Sequence, residues 1–472
     1  MIYEVGSGKT YSTITAALAQ LYTDVGSNAF TETQTIRVYD GTYTETVAPD
    51  TNLNPTADYG LVIEAAAGNS PVIDGESTRV NGIYVLTIDY VTSDGFTVKN
   101  CTTNGIYYYS KSRHGIIKNN VCYSNGHGIH VYTSSTYATV NNNFSFSNTG
   151  DGIWFENASH YGTVHSNNCY LNGNSGIDIK ASTNMNIYNC NCYSNSTYGM
   201  NFRSGANSDT VCGCICYSNT SHGIYAQSTN SNLTIHDCIF YSNLDGVRAS
   251  NTAGVVFYNN YCYSNSSNGL LIYTNSTNSI AYNNVCIFNK IGLQFNNATG
   301  GKIYNNTCAL NTNNAIYGNS GATGLTSKNN ILYQVNGAAC AFYGASSGLS
   351  TDYNCFYFSG TAVPVSGYAT LALWQATGRD LNSINSDPLF LLLNGLSASD
   401  YKLSYDSPCI NVATDLSATF TIDYFGTTRP AGAWDMGFHE FIPATLSKAR
   451  IVNQGGDGLG LTKTSIVNQG GA

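Results

Sequence analysis

The middle of the chain carries no helical period. Short runs such as Gly128-Ile129-His130-Val131 alternate apolar and polar positions, give way to about four polar residues, and then begin again. Alternation of period two over so few residues predicts short strands separated by turns. The unit recurs: "NNVCYSNGHGIHV" (119–131) returns as "NNNFSFSNTGDGIWF" (141–155), "NNCYLNGNSGIDI" (167–179), "NCNCYSNSTYGMNF" (189–202), "GCICYSNTSHGIYA" (213–226), "DCIFYSNLDGVRA" (237–249), "NNYCYSNSSNGLLI" (259–272), "NNVCIFNKIGLQF" (283–295) and "NNTCALNTNNAIY" (305–317). The asparagine of the Tyr-Ser-Asn position falls at 125, 148, 172, 195, 219, 243, 265, 289 and 311, in steps of 22 to 24 residues.

A repeat of this length could build a leucine-rich horseshoe, a helical array or a β-solenoid. The Leu-x-x-Leu-x-Leu pattern is absent, as are ten-residue amphipathic stretches free of Asn, Gly and Ser. Three short strands with their turns fill the unit, so the pattern predicts a parallel β-helix whose coils stack about 4.8 Å apart. Residues at equivalent positions then lie one above another. Ile129, Ile153, Ile177, Met200, Ile224, Val247, Leu270 and Leu293 form one inward row, each preceded by glycine at a bend. Cys122, Cys169, Cys192, Cys216, Cys262, Cys286 and Cys308 form a second, with Ser145 and Phe240 completing it, and Cys190, Cys214 and Cys238 a short third. The Tyr-Ser-Asn asparagines are expected to form a hydrogen-bonded ladder satisfying buried turn backbone. Tyr123, Phe146, Tyr170, Tyr193, Tyr217, Tyr241 and Tyr263 have opposite parity to the cysteines and are expected to stack outside.

At the amino end, "VGSGKTYSTITAAL" (5–18) suggests a phosphate loop. A P-loop requires glycine five residues before the glycine of Gly8-Lys9-Thr10, and that position is Tyr3. Ile14, Ala17, Leu18 and Leu21 instead have the spacing of one helix face, with Ser12 or Thr13 as cap. Residues 1–32 are therefore read as an N-terminal lid, 33–345 as the β-helix, 346–441 as C-terminal coils and capping region. Residues 442–472, in which IVNQGG occurs twice, are read as an assembly element.

Composition narrows the function classes. Of 472 residues only 10% are charged, Gly (47) and Tyr (37) are abundant, and Pro is scarce at 8. A net charge of −9 without a basic block argues against nucleic-acid binding. No apolar run has membrane-spanning length, and no signal peptide is read at the start. The 15 cysteines are an odd set with alternate rather than C-x-x-C spacing. Buried, unpaired thiols acting as small hydrophobes account for them better than disulfides or zinc. No cofactor or metal is expected.

"YEVGSGKTYSTITAAL", "IDYVTSDGFTVKNC" (88–101), "SDPLF" (386–390), "DYKLSYDSPCINVATD" (400–415) and "DYFGTTRPAGAWDMGFHEF" (423–441) resemble the entry, early coils and closing segment of right-handed parallel β-helix proteins of the pectate-lyase-like superfamily. The resemblance spans residues 2–441 and implies an all-β, right-handed solenoid of secreted or phage tail-spike type. Members that hydrolyse polygalacturonate show Asn-Thr-Asp, Asp-Asp, Gly-His-Gly and Arg-Ile-Lys signatures. This chain has "NTGDG" (148–152) and "GHG" (126–128) but neither an Asp-Asp pair nor Arg-Ile-Lys, so that activity does not carry over.

Parity places one stripe on the outer face: Tyr107, His130, Trp154, Asp178, Asn201, Tyr225 and Arg248. Beside it run Tyr109, Tyr132, Glu156, Lys180, Arg203 and Gln227. Aromatic faces with hydrogen-bonding neighbours suit sugar rings, so Tyr107, Tyr109, His130, Tyr132, Trp154, Tyr225 and Arg248 are candidate carbohydrate-binding residues. Glu156 and Asp178 could flank a glycosidic bond as a carboxylate pair. Lys180 or Arg203 could instead abstract a proton from a uronate. An outer face carrying oppositely charged residues on adjacent coils also pairs them for structural reasons alone. The leading expectation is an extracellular or virion-surface β-helix (tail spike, fibre or filament subunit) for adhesion, display or assembly. Its expected partners are a glycan or polysaccharide and further copies of itself through the C-terminal tail. The alternative is a polysaccharide lyase or glycoside hydrolase.

Overall fold

The computed structural model describes residues 1–228, 230–319, 321–335, 339–344 and 347–443. The repeated IVNQGG tail lies almost wholly in 444–472, outside the described residues. The chain winds through three parallel sheets of 15, 15 and 12 strands. In one central coil, sheet 1 receives Asn186–Tyr188, sheet 2 Asn191–Tyr193 and sheet 3 Met200–Arg203, before Thr210–Cys212 starts the next coil on sheet 1. Strands pair only with their counterparts one coil away, in unshifted register: Cys169 faces Cys192, which faces Cys216. All three are fully buried, as are Ile129, Ile153, Ile177, Met200, Ile224 and Val247 in the row from sheet 3. The chain is thus an all-β parallel β-helix with two described α-helices.

Two bends per coil explain the wealth of Asn and Ser. Sheet 1 passes to sheet 2 through one left-handed residue, such as Asn119, Asn142, Ser166 or Asn189, and sheet 2 is left through another, such as Ser124, Ser147 or Ser194. Short polar side chains tolerate positive φ better than β-branched ones. Each bend residue is followed by a ladder residue. In the Tyr-Ser-Asn ladder, the Asn195 amide donates to the Cys169 carbonyl of the previous coil (3.1 Å) and to Asn219 Oδ1 (3.0 Å), while its Oδ1 accepts from Asn172 backbone N–H (3.1 Å). The carbonyl reached is therefore that of the preceding coil, and the next coil supplies a side-chain oxygen.

A second ladder runs at the other bend: Asn120, Asn143, Asn167, then Asn260, Asn284, Asn306, Asn330 and Asn354. Cys190, Cys214 and Cys238 fill its gap. The Cys190 and Cys214 backbone N–H groups each donate to the next cysteine's Sγ at 3.4 Å, and the Cys238 N–H donates to Asn260 Oδ1 at 3.2 Å. These thiols therefore act as hydrogen-bonding rungs, not merely as small hydrophobes. "CGCIC" crosses three rows: Cys212 half-exposed on the outside, Gly213 at the left-handed bend, Cys214 in the ladder and Cys216 in the core. All 15 cysteines are unpaired.

At the amino end, α1 (Ile14–Val25) buries Ile14, Ala17, Leu18 and Leu21 against the first coil, with Thr13 as its N-cap. Glu45 accepts from the backbone N–H of Ile14 and Thr15 at 2.8 and 2.9 Å, placing a carboxylate on the helix N-terminus. Lys9 lies over the Tyr39 ring and 3.5 Å from Glu4, so the loop is a turn with a committed lysine. At the other end, α2 (Leu371–Gln375) buries Leu371 and Trp374 against the last core residues. Ile384–Asn385 closes sheet 2, and residues 386–441 then return along the outside of the solenoid. Trp434, Met436 and Phe438 are buried there, Gly437 N–H donates to the Asn329 carbonyl, and Arg429 reaches Asn283. No helix among the described residues is long and apolar enough to cross a membrane.

Candidate functional site

The eleven candidate residues stand on consecutive strands of sheet 3. Tyr107, His130, Trp154, Asp178, Asn201, Tyr225 and Arg248 pair in succession, as do Tyr109, Tyr132, Glu156, Lys180 and Arg203. A third row enters from the preceding bend: His127, Asp151, Ser175, Tyr198, His222 and Asp245, each before the bend glycine. Glycine is required there. A Cβ on Gly152 would lie 2.6 Å from the Gly176 carbonyl oxygen and 2.8 Å from Asn172 Nδ2, because the asparagine ladder runs directly beneath.

Aromatic rings occupy one end of the face. Tyr107 stacks on His130 at 4.8 Å, His130 on Trp154 at 4.2 Å, and Tyr109 on Tyr132 at 5.5 Å. His127 lies 4.7 Å from Trp154. Burial, with the charges of His127 and Lys180, pushes His130 down to about 3, so it stands as a neutral ring. Its Nδ1 meets Asn104 Oδ1 at 3.2 Å.

The charged residues are paired more completely than an open acid–base site would have them. Lys180 Nζ lies 2.9 Å from Glu156 Oε2. Arg203 Nε donates to both Asp178 oxygens at 3.0 Å, and Asn201 Nδ2 donates to Oδ2 at 2.8 Å. Asp178 is 0% exposed and Glu156 7%, so the pair expected as open catalytic carboxylates is corrected to two carboxylates sealed beneath the cations of the next coil. Stacking in register puts Lys180 over Glu156 and Arg203 beside Asp178, and each cation is committed to its carboxylate rather than free as a base.

The bend row supplies residues that strand parity did not single out. Asp151 Oδ1 accepts from Asn174 Nδ2 (2.7 Å) and Ser175 N–H (2.9 Å), and Oδ2 lies 3.5 Å from His127 Nδ1. His127 Nδ1 also accepts from the Asp151 backbone N–H at 3.0 Å, which places that ring's proton on Nε2. Burial raises the Asp151 and Asp178 carboxyls, and the charge of Asp151 raises Asp178 further, against the pull of Arg203. The charge of Asp151 thus acts on Asp178, while His127 stands beside Asp151. Both missed residues lie within "NTGDG" and "GHG"; the alternation rule ends at the bend and could not say which way they point.

Polar atoms with no partner concentrate on this face. His130 Nε2, Trp154 Nε1, His222 Nδ1, Arg248 Nε and Asn268 Oδ1 are buried and make no hydrogen bond. Buried polar groups are ordinarily satisfied, so such a cluster marks where ligand or water completes the bonding.

The family model for a right handed beta helix region matches residues 81–240 and 206–356, more than half of the chain. Among solved structures, the chain is similar to DFA-IIIase from Arthrobacter chlorophenolicus A6 without its lid (10% identity, 64% of this chain and 94% of that one, TM-score 0.51). It is also similar to the A-module of a mannuronan C-5 epimerase from Azotobacter vinelandii (13%, 79% and 94%, TM-score 0.47). A third is the Dettilon tailspike protein (14%, 68% and 63%, TM-score 0.43). No match is found among curated proteins. At these identities the likeness is one of fold.

Proposed function

The chain belongs to the right-handed β-helix family, and from that premise we propose that it is an extracellular or virion-surface protein for adhesion or display, with the outer face of sheet 3 as its glycan-binding surface. The observation that carries this reading is the aromatic stack Tyr107–His130–Trp154 beside rows of polar side chains, with His130 Nε2 and Trp154 Nε1 buried and unpartnered. Ring faces bury the apolar side of a sugar, and an unpartnered donor, Trp154 Nε1, and an unpartnered acceptor, His130 Nε2, find its hydroxyls. Retention of the full chain on immobilised polysaccharides tests the reading: Trp154→Ala should weaken retention at least tenfold while the chain stays folded. A variant retained as strongly as the wild type would remove the surface from consideration.

A second reading, a polysaccharide-degrading enzyme, is favoured by one observation: burial raises the carboxyls of Asp151 and Asp178, and His127 Nδ1 lies 3.5 Å from Asp151 Oδ2. An acid held protonated near neutral pH is what glycosidic cleavage requires. On this reading Asp151, with His127 beside it, takes the acid role, and the ion-paired Glu156, Asp178, Lys180 and Arg203 stand behind it. New reducing ends or unsaturated-uronate absorbance, lost in both Asp151→Asn and Asp178→Asn, would support it. Binding without turnover supports the adhesin.

A further inference from the structure

The two ends of the sheet 3 face differ in how their charges are settled. Lys180 and Arg203 each hold a carboxylate. Arg248, three coils beyond Asp178 in the same row, makes no ion pair and no hydrogen bond among the described residues. Its guanidinium lies 4.5 Å from the Tyr273 ring centroid and 5.8 Å from that of Tyr225, and its Nε is buried without an acceptor. Next to it, His222 is 4% exposed, with Nδ1 3.1 Å from Asp245 Oδ2 but outside hydrogen-bond geometry. Asp245 is itself committed to Asn268, accepting from its backbone N–H at 3.0 Å and its Nδ2 at 2.7 Å. Both of these bonds fall on Asp245 Oδ1, its Oδ2 faces His222 rather than Arg248, and the arginine is held in place by aromatic faces.

A guanidinium fixed by ring stacking, with its donors unclaimed, is prepared for an anion. We infer that Arg248, flanked by Tyr225 and Tyr273, is an anion subsite that reads a carboxylate or sulfate substituent on the bound glycan. The inference rests on the proposed glycan surface and deepens it. Four coils separate this subsite from Trp154, about 19 Å at the spacing of stacked strands. A ligand touching both is therefore a chain of several sugar residues, its neutral faces on Trp154 and its charge at Arg248.

Titration calorimetry of the full chain with four probes tests this: a hexagalacturonate, its fully methyl-esterified form, a sulfated glucan hexasaccharide and the neutral glucan hexasaccharide. In the wild type, at least one anionic probe should bind about tenfold more tightly than its uncharged counterpart, the size of one charge-assisted contact. Arg248→Gln should bring that ratio close to one, and Arg248→Lys should retain part of it. Preference for the hexagalacturonate identifies a carboxylate, and preference for the sulfated probe a sulfate. A ratio unchanged in Arg248→Gln, or equal affinities in the wild type, overturns the anion subsite while leaving a glycan surface that depends on Trp154. Binding of no probe, or binding indifferent to Trp154→Ala, overturns the surface and the subsite together. A thermal melt of each variant shows whether the solenoid remains folded.

Discussion

The outer faces of sheets 2 and 3 make an instructive pair. Both point away from the core and both are rich in rings. On sheet 2 the row hardly varies: Tyr123, Phe146, Tyr170, Tyr193, Tyr217, Tyr241 and Tyr263 stack with centroids 4.7 to 5.2 Å apart. Each ring has the same partner above and below at the natural rise of the solenoid, so the row satisfies itself. On sheet 3 the corresponding row changes identity at almost every coil, from Tyr107 through His130, Trp154 and Asp178 to Arg248. It also gathers buried polar atoms without partners. In a stacked fold, sameness along a row is the signature of structure, and loss of sameness is the place to look for chemistry.

The largest effect expected from testing that contrast lies in an unvarying interior row. Asn195→Ala removes four hydrogen bonds and strands the Asn172 N–H and one N–H of the Asn172 side-chain amide inside the bend. Leaving buried polar groups unpaired costs about 1–3 kcal/mol each, so denaturant unfolding should shift by about 3–5 kcal/mol. A loss below about 1 kcal/mol would mean that the ladder is decoration.

Next in size is an interior residue that breaks its row without belonging to the outer face. Asp209 stands where the neighbouring coils place Met185 and Leu233; it is fully buried, and its Oδ2 has no partner. Burial lifts its carboxyl to about 8, against about 3.9 in an unfolded chain. The folded value being the higher, the stabilising contribution is complete below about pH 4 and is lost as pH rises toward 8, because the unfolded chain releases the proton first. Wild-type melting temperature should fall across that window, and Asp209→Asn should flatten the fall, with its advantage, on the order of 2–4 kcal/mol, greatest at the alkaline end. A variant equally affected at pH 4 and pH 8 would show that titration is not the cause.

How far the sequence carries the reading can be judged from the same rows. The coil, its register and the inward rows follow from period alone, because stacking converts a sequence interval into a spatial neighbour. Three things did not follow. The left-handed bends at Ser194 or Asn189 are local backbone states, which side-chain alternation does not encode. The hydrogen-bonding role of Cys190, Cys214 and Cys238 shows only when they fall in line with Asn167 and Asn260. Asp151 lies at the bend and His127 opens its strand (His127–Tyr132), where parity gives no direction, so the sheet 3 site was read without them.

A smaller effect on stability, with a large one on binding, is expected at Trp154. Its ring stacks on His130 at 4.2 Å and lies near Lys180, but its Nε1 bonds nothing within the fold. Trp154→Ala should weaken glycan retention at least tenfold, about 1.4 kcal/mol. The unfolding free energy should move by less than the ladder variant's does. If stability falls as far as in Asn195→Ala while binding survives, the two outer faces are alike and the contrast fails.

The smallest effect belongs to the matching position on sheet 2. Tyr193 sits between Tyr170 at 4.9 Å and Tyr217 at 4.8 Å, with its ring only partly covered. Tyr193→Ser removes two stacking contacts, worth about 0.5–1.5 kcal/mol each when well buried. Half-exposure lowers that, and the neighbouring rings keep their outer partners, so a loss within about 1 kcal/mol is expected. Glycan retention should be unchanged, since the row contributes no buried polar atom left without a partner. Retention falling with Tyr193→Ser as steeply as with Trp154→Ala would shift the binding surface to the repetitive face, and variation along a row would then no longer separate chemistry from scaffold.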